Sequence, residues 1–405
     1  MTIAEFSIEW YYWGPVLAMV ALACWLMRAR PLDFGCIVAL MISQYVVHAV
    51  IAFGWSDEIS LFCMLFFAVF VLVAQQRVTF GLPAAGPRLA VSSEVEEAWI
   101  KISKWYLFGY YTCRLIAYPF FSGELMLDDR LAAQQDNVLL FVLGLGATPA
   151  LAAVMYAGIR PGGKLLMFDK VVLGIAAIGI LGSGSKGGLL PIILVFVGVS
   201  SFLGQKLLRS RIAAFAVCIA IGGSLFILTR FFPLLELGDI GNLMLYRVAA
   251  NTDSLEYLNV LGVKPGAFPF SGIGALLPAL SRRFGYVYDY SPGVWLHGSR
   301  FGNWDGYGPN SGIVMDYFGN LRWGGLLVAA GLGMYFRSAA RYRNAITCSF
   351  LPITALAVTD IAMFDIAFLM WLLVLVCVCA FMRTNVRFQF SLGIGRSETR
   401  EDPAS

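Results

Sequence analysis

The sequence predicts an all-α polytopic integral membrane protein of about eleven transmembrane helices with one large extracytoplasmic loop. Three observations predict it. Hydrophobic residues fill 59% of the 405 positions and charged residues only 13%, with a mean hydropathy of +0.75, which leaves too little polar surface for a water-soluble domain. Apolar runs recur at roughly the twenty-residue length that crosses a bilayer, and backbone groups in lipid must bond internally, so helices are expected. A membrane β-barrel would instead show short alternating segments. Finally, bases and acids segregate to alternate connections between the runs.

The expected spans are 9–27, 32–54, 59–76, 104–121, 138–157, 166–183, 187–204, 212–231, 323–337, 346–363 and 366–382. The first run lacks the basic flank, short apolar centre and small-residue cleavage site of a signal peptide, so it is read as a span. Arg28 and Arg30, Arg77 and Arg88, Lys101 and Lys104, Arg160 and Lys164, Lys206, Arg209 and Arg211, Arg337, Arg341 and Arg343, and Arg383 and Arg387 all fall on one side. That side is cytoplasmic by the positive-inside rule. The opposite short connections carry Asp57, Glu58, Glu124, Asp128, Asp129 and Asp365. An odd number of spans then puts the N-terminus outside.

The chain divides into a first set of spans (1–231), a large outer region (232–322), a second set of spans (323–387) and a polar, aperiodic tail (388–405) expected to be disordered. Within 78–103, Ser92 and Ser93 ahead of Glu94, Glu96 and Glu97 read as the capped start of a surface helix feeding the fourth span. Cys24, Cys36, Cys63, Cys113, Cys218, Cys348, Cys377 and Cys379 lie in or beside apolar runs, and structural disulfides are not expected. The net charge of +4 is small for this length, and nothing in the pattern points to nucleic acid.

The outer region does not suit a purely lipid environment. Arg247, Lys264, Arg282, Arg283, Arg300 and Arg322 stand there against Glu236, Asp239, Asp253, Glu256, Asp289, Asp305 and Asp316. Aromatics crowd the same stretch, among them Tyr286, Tyr288, Tyr290, Trp295, Trp304 and Tyr307, interleaved with Gly, Pro, Asn and Asp. Such a mixture can stack on sugar faces while bonding hydroxyls; aromatics are also enriched at any bilayer interface. The densest part runs from Trp295 to Gly312, where glycines permit sharp turns and close approach to a ligand. His297 in this run can act as a base or simply bond a neighbour. The second histidine of the chain, His48, sits inside an apolar run and reads as a packed helix residue.

Lys186, between Gly184 and Gly187, stands in a glycine-rich turn at the outer end of two spans. The Gly-Lys-Ser/Thr order of a nucleotide P-loop is missing and no strand precedes it. A phosphate-binding nest and a tight hairpin whose lysine snorkels to the headgroups both remain open. Arg230 reads as an interfacial anchor, and Arg114 as half of an ion pair or the lining of a polar cavity.

These features together resemble the oligosaccharide repeat-unit polymerases of the O-antigen (Wzy) type. The residues that carry the resemblance are Ser183-Gly184-Ser185-Lys186-Gly187 between two spans, the late outer region, Tyr307-Gly308-Pro309-Asn310-Ser311, Asp316-Tyr317-Phe318-Gly319, and Gly324-Gly325 entering the next span. Arg282 and Gly293 also keep an Arg, ten residues, Gly spacing described in some members. Members commonly have Arg where this chain has Lys186, which keeps the charge and loses the bidentate fork.

The resemblance implies a GT-C-like membrane glycosyltransferase of the bacterial inner membrane, with its N-terminus periplasmic and its C-terminus cytoplasmic. It would polymerise undecaprenyl-diphosphate-linked oligosaccharides at the periplasmic face, alongside a flippase and a chain-length regulator. A diphosphate leaving group calls for clustered cations, here Lys186, Arg247, Arg282, Arg283 and Arg300, with Trp304, Tyr307 and Asn310 as further substrate contacts. An attacking sugar hydroxyl calls for a base, here His297 or Asp305. With no Asp-x-Asp motif and no His/Cys/Asp ligand cluster, neither a metal nor another cofactor is expected. An O-antigen ligase would share the donor chemistry, and a lipid-linked oligosaccharide transporter would spread its polar groups over several spans.

Overall fold

The computed structural model describes residues 9–29, 33–75, 93–117, 143–144, 146–182, 195–204, 242, 245, 249, 252–261, 292–302, 312–341 and 343–358. Every regular element among them is a helix. In chain order these are α1 (Trp10–Met27), α2 (Phe34–Phe53), α3 (Glu58–Ala74), α4 (Ser93–Ala117), α5 (Ala147–Ile159), α6 (Met167–Gly182), α7 (Ser254–Leu261), α8 (Pro292–Phe301), α9 (Ile313–Leu321), α10 (Leu326–Arg341) and α11 (Ala345–Ala357). Residues 195–202 are also helical, and a 3-10 turn, Arg322–Gly325, joins α9 to α10.

Helix occupies every expected span that contains described residues; the spans at 212–231 and 366–382 lie outside them. Among the described residues two helices, α1 and α2, are long and apolar enough to cross a membrane, with 18 and 20 residues, while α3 and α5 are apolar but shorter. The two differ in packing. Trp10, Leu17, Leu22 and Trp25 leave much of α1 open, as expected of a helix with a lipid-facing side, whereas α2 buries residues all around its circumference and forms the centre of the bundle.

Two sequence expectations are corrected. The surface helix expected before the fourth span is no separate element: α4 runs unbroken for 25 residues from Ser93. Its first turns pack inward because Val95, Trp99, Ile100 and Ser103 continue the face formed further on by Leu107, Tyr110 and Tyr111. The second correction concerns cysteine. Cys24 and Cys36 form a disulfide with their Cα atoms 5.8 Å apart. Judging cysteines by their distance from the polar region overlooked that the last turns of α1 lie against the first turn of α2.

Helices in lipid gain little from burying apolar surface against each other, so close approach and bonds between helices must hold them. The α3–α10 pair relies on small residues. A Cβ added at Gly333 would lie 2.8 Å from the Phe70 carbonyl oxygen and 3.0 Å from the Ala74 nitrogen, so the two backbones touch there. Gly325 meets Phe62 one end earlier, which makes the two helices parallel. The α4–α5–α11 group relies on polar bonds: Trp99 Nε1 donates to Ser349 Oγ at 2.9 Å, and that hydroxyl donates to the Ala345 carbonyl at 2.8 Å.

One end of the bundle carries Lys104, Arg160 and Arg343. Lys104 Nζ lies 2.6 Å from Asp169 Oδ1, Arg160 lies 3.3 Å from Glu96, and the Tyr156 hydroxyl donates to the Arg343 carbonyl at 3.1 Å. Asp169 is only 2% exposed. Lys104→Ala strands that buried carboxylate, and is expected to lower stability by about 3 kcal/mol. Thermal unfolding in detergent checks this, with Lys101→Ala, which has no such carboxylate partner among the described residues, expected to melt like the parent.

Candidate functional site

At the end of the bundle away from these ion pairs, three short helices from the outer region, α7, α8 and α9, sit on the long helices. The run beginning at Trp295, read from sequence as a turn-forming stretch, is helical through Phe301. Pro292 occupies the first helical position, where its missing N–H costs nothing, and Gly298 lies inside the helix. The helix ends at Gly302, whose φ of +72° is left-handed and whose N–H bonds the Gly298 carbonyl at 2.8 Å. Leu296 is fully buried and anchors α8, while Arg300, one turn further on, is exposed.

α7 and α8 pack together through a cluster of rings and a cation. The Arg300 guanidinium lies 4.8 Å from the centre of the Tyr257 ring and 5.0 Å from that of Phe301. The His297 ring is 4.9 Å from Phe301 and 6.4 Å from Tyr257. Stacking holds a guanidinium flat while its N–H edge stays free to bond an anion, a geometry that lysine cannot adopt. Phe301 is 58% exposed, so an apolar ring face borders the cation on the outer surface.

Directly after this face comes a buried polar one. His48, fully buried on α2, approaches Glu256 of α7 through Nε2 at 3.3 Å and Thr252 through Nδ1 at 2.6 Å. Tyr12 of α1 is set against Thr252, Asp253 and Tyr45. Tyr45 of α2 donates to the Val358 carbonyl at 3.4 Å, just past α11, and faces Ser254. One short segment of the outer region therefore presents Thr252 and Glu256 to the bundle and Tyr257 to α8.

α9 is seated differently. Phe318 packs 5.0 Å from Phe62 of α3, and Arg322 stacks 4.6 Å over Phe318. Asp316 is 2% exposed. Within the described part of Asp316-Tyr317-Phe318-Gly319 and Gly324-Gly325, the aromatic and glycine positions thus dock the outer region onto the bundle. Arg114 bonds the Tyr110 hydroxyl one turn back on its own helix, at 3.1 Å.

Of the residues expected to form a site, the structure brings His297 and Arg300 together. Lys186, Arg247, Arg282, Arg283, Trp304, Asp305, Tyr307 and Asn310 lie outside the described residues. Sequence reasoning passed over Tyr257, counted Glu256 only as a loop charge, and read His48 as packing. Tyr257 and Glu256 carry a faint signal, an aromatic beside an acid in an eight-residue helix of the outer region. His48 carries none, because its partner Thr252 is 204 residues away. Among the described residues, no three His, Cys, Asp or Glu side chains gather as metal ligands.

No family model, no curated protein and no solved structure matches this chain.

Proposed function

We propose that the protein is a multi-pass membrane glycosyltransferase that joins undecaprenyl-diphosphate-linked oligosaccharide repeat units, building O-antigen, capsule or exopolysaccharide at the periplasmic face of the inner membrane. The observation that supports it best is the stacked, exposed Arg300 with His297 beside it, on helices seated at the end of the bundle opposite the Lys104–Asp169 and Arg160–Glu96 pairs. The remaining spans beyond α1 and α2, and the orientation with bases facing the cytoplasm, belong to this reading.

The chemistry sets three requirements. The bond from the donor's anomeric carbon to the diphosphate oxygen breaks while a bond to the acceptor's hydroxyl oxygen forms, and the hydroxyl proton must leave. Arg300 is suited to the first, because a guanidinium bonds two phosphate oxygens at once and stabilises the departing charge. The rings of Tyr257 and Phe301 offer apolar faces to the sugar beside it. His297 is one turn from Arg300 and is the described candidate for taking the proton, with Asp305 the other. Lys186, Arg247, Arg282 and Arg283 complete the cation set in this reading, and Trp304, Tyr307 and Asn310 the sugar contacts.

Deletion of the gene in its host, followed by gel analysis of surface glycan, tests the proposal. The expected result is single repeat units in place of a ladder, restored to a ladder by the plasmid-borne gene. Loss of all attached glycan would favour ligation over polymerisation, and an unchanged ladder would remove both.

A further inference from the structure

We propose that His48 and Glu256 act as a positioning pair, fixing the start of α7, and with it Tyr257 and Arg300, on the bundle. The contacts around His48 support this arrangement. The Thr252 hydroxyl has one proton to give and stands 2.9 Å from the Ala249 carbonyl and 2.6 Å from His48 Nδ1. Thr252 Oγ1 therefore donates to His48 Nδ1 or accepts from it according to the tautomer of the ring, with Tyr12 set against the same hydroxyl. Nε2 then faces a Glu256 oxygen at 3.3 Å, and a bare nitrogen lone pair against a carboxylate would repel. The contact is attractive only with a proton between them, held on the ring or on the carboxyl.

The surroundings suit an anchor. His48 is fully buried while Glu256 is 23% exposed, so the histidine grips the acid from the bundle side. The ring bonds residues 252 and 256 together, four apart and thus on one face of the chain entering α7. Tyr12 from α1 and Tyr45 from α2 close around the same point, with Asp253 the other charged group there. Tyr257, next to Glu256, is the ring on which Arg300 rests. Fixing Glu256 therefore fixes the platform of the cation.

The positioning of α7 is independent of what the protein acts on; only its consequence for activity rests on the glycosyltransferase reading. With two histidines in the chain, nitrogen-15 histidine labelling of the full-length protein, with His297→Asn to assign the signals, reads His48 directly. A His48 signal that shifts on Glu256→Gln is expected, and one that does not move would overturn the proposal. Hydrogen exchange over 252–261 is then compared in the parent, His48→Gln, Glu256→Gln and the double variant. Each single change is expected to speed exchange about 10- to 100-fold, and the double change no more than the larger single effect. Unchanged exchange in both singles, or effects that multiply in the double, would refute the pair.

Polymer formation supplies the readout that loss of packing alone would not move. Glu256→Asp, which keeps the carboxylate, is expected to retain most of the rate, and Glu256→Gln to lose about tenfold at equal membrane level. Equal rates for the two would refute positioning. Absence of polymer from the parent protein itself would sink the glycosyltransferase reading while the exchange result stood.

Discussion

Gly312→Ala is expected to destabilise the protein by about 3 kcal/mol, near the upper end for overpacking, and to leave little correctly folded chain in the membrane. A Cβ there would fall 1.8 Å from the Val358 carbonyl oxygen and 2.4 Å from the Tyr45 hydroxyl. Neither can yield cheaply. Val358 contributes backbone at the end of α11, and the Tyr45 ring is fully buried in the bundle. Gly312 also caps α9, where it has an extended backbone at φ −82°, so its requirement is for space and not for left-handed conformation. Gly302→Ala is the informative contrast: nothing lies within 4 Å of its added Cβ, and only its φ of +72° opposes the change. Its cost should be about 1 kcal/mol. Folded yield after detergent extraction and thermal unfolding separate the two outcomes.

On the proposed glycosyltransferase reading, Arg300→Ala is expected to cut polymer formation about 100-fold or more while the protein inserts normally, because a preorganised donor to the developing anion would be lost. Exposure makes this a clean experiment. The guanidinium contacts the Tyr257 and Phe301 rings, and among the described residues it pairs with no carboxylate. Arg300→Lys keeps the charge and loses the planar stacking and the fork, so its rate should fall between the two. Glycan chain length in a deletion host carrying each variant at equal membrane level reads the result. Full-length polymer from Arg300→Ala would take this residue out of the site.

The sequence conveys the helices far better than the site, and the reason is physical. An apolar run declares a helix locally, as at Phe34–Phe53, because length and composition suffice. The α4 helix shows the limit of local reading. Its acidic first turn looks like a surface cap, yet Arg160 at the end of α5 neutralises Glu96, and Ser349 on α11 bonds Trp99. Both partners are remote in sequence, so the inward packing was invisible there. His48 is the sharper case: an apolar neighbourhood implies packing, while the outer region supplies Glu256 and Thr252 only once folded. Arg300 and His297 could be singled out together because they lie three residues apart in a polar, aromatic run, and the structure places them on one helix face.

The account depends on a lipid-borne diphosphate being held by outer-face cations while sugars are joined beside it. Its most direct test is the purified, full-length protein in lipid vesicles, supplied with undecaprenyl-diphosphate-linked repeat units from its host. The account predicts a growing glycan ladder, with one undecaprenyl diphosphate released for each unit joined, and its loss with Arg300→Ala. Repeat units that stay unjoined in the presence of folded, correctly inserted parent protein would contradict it.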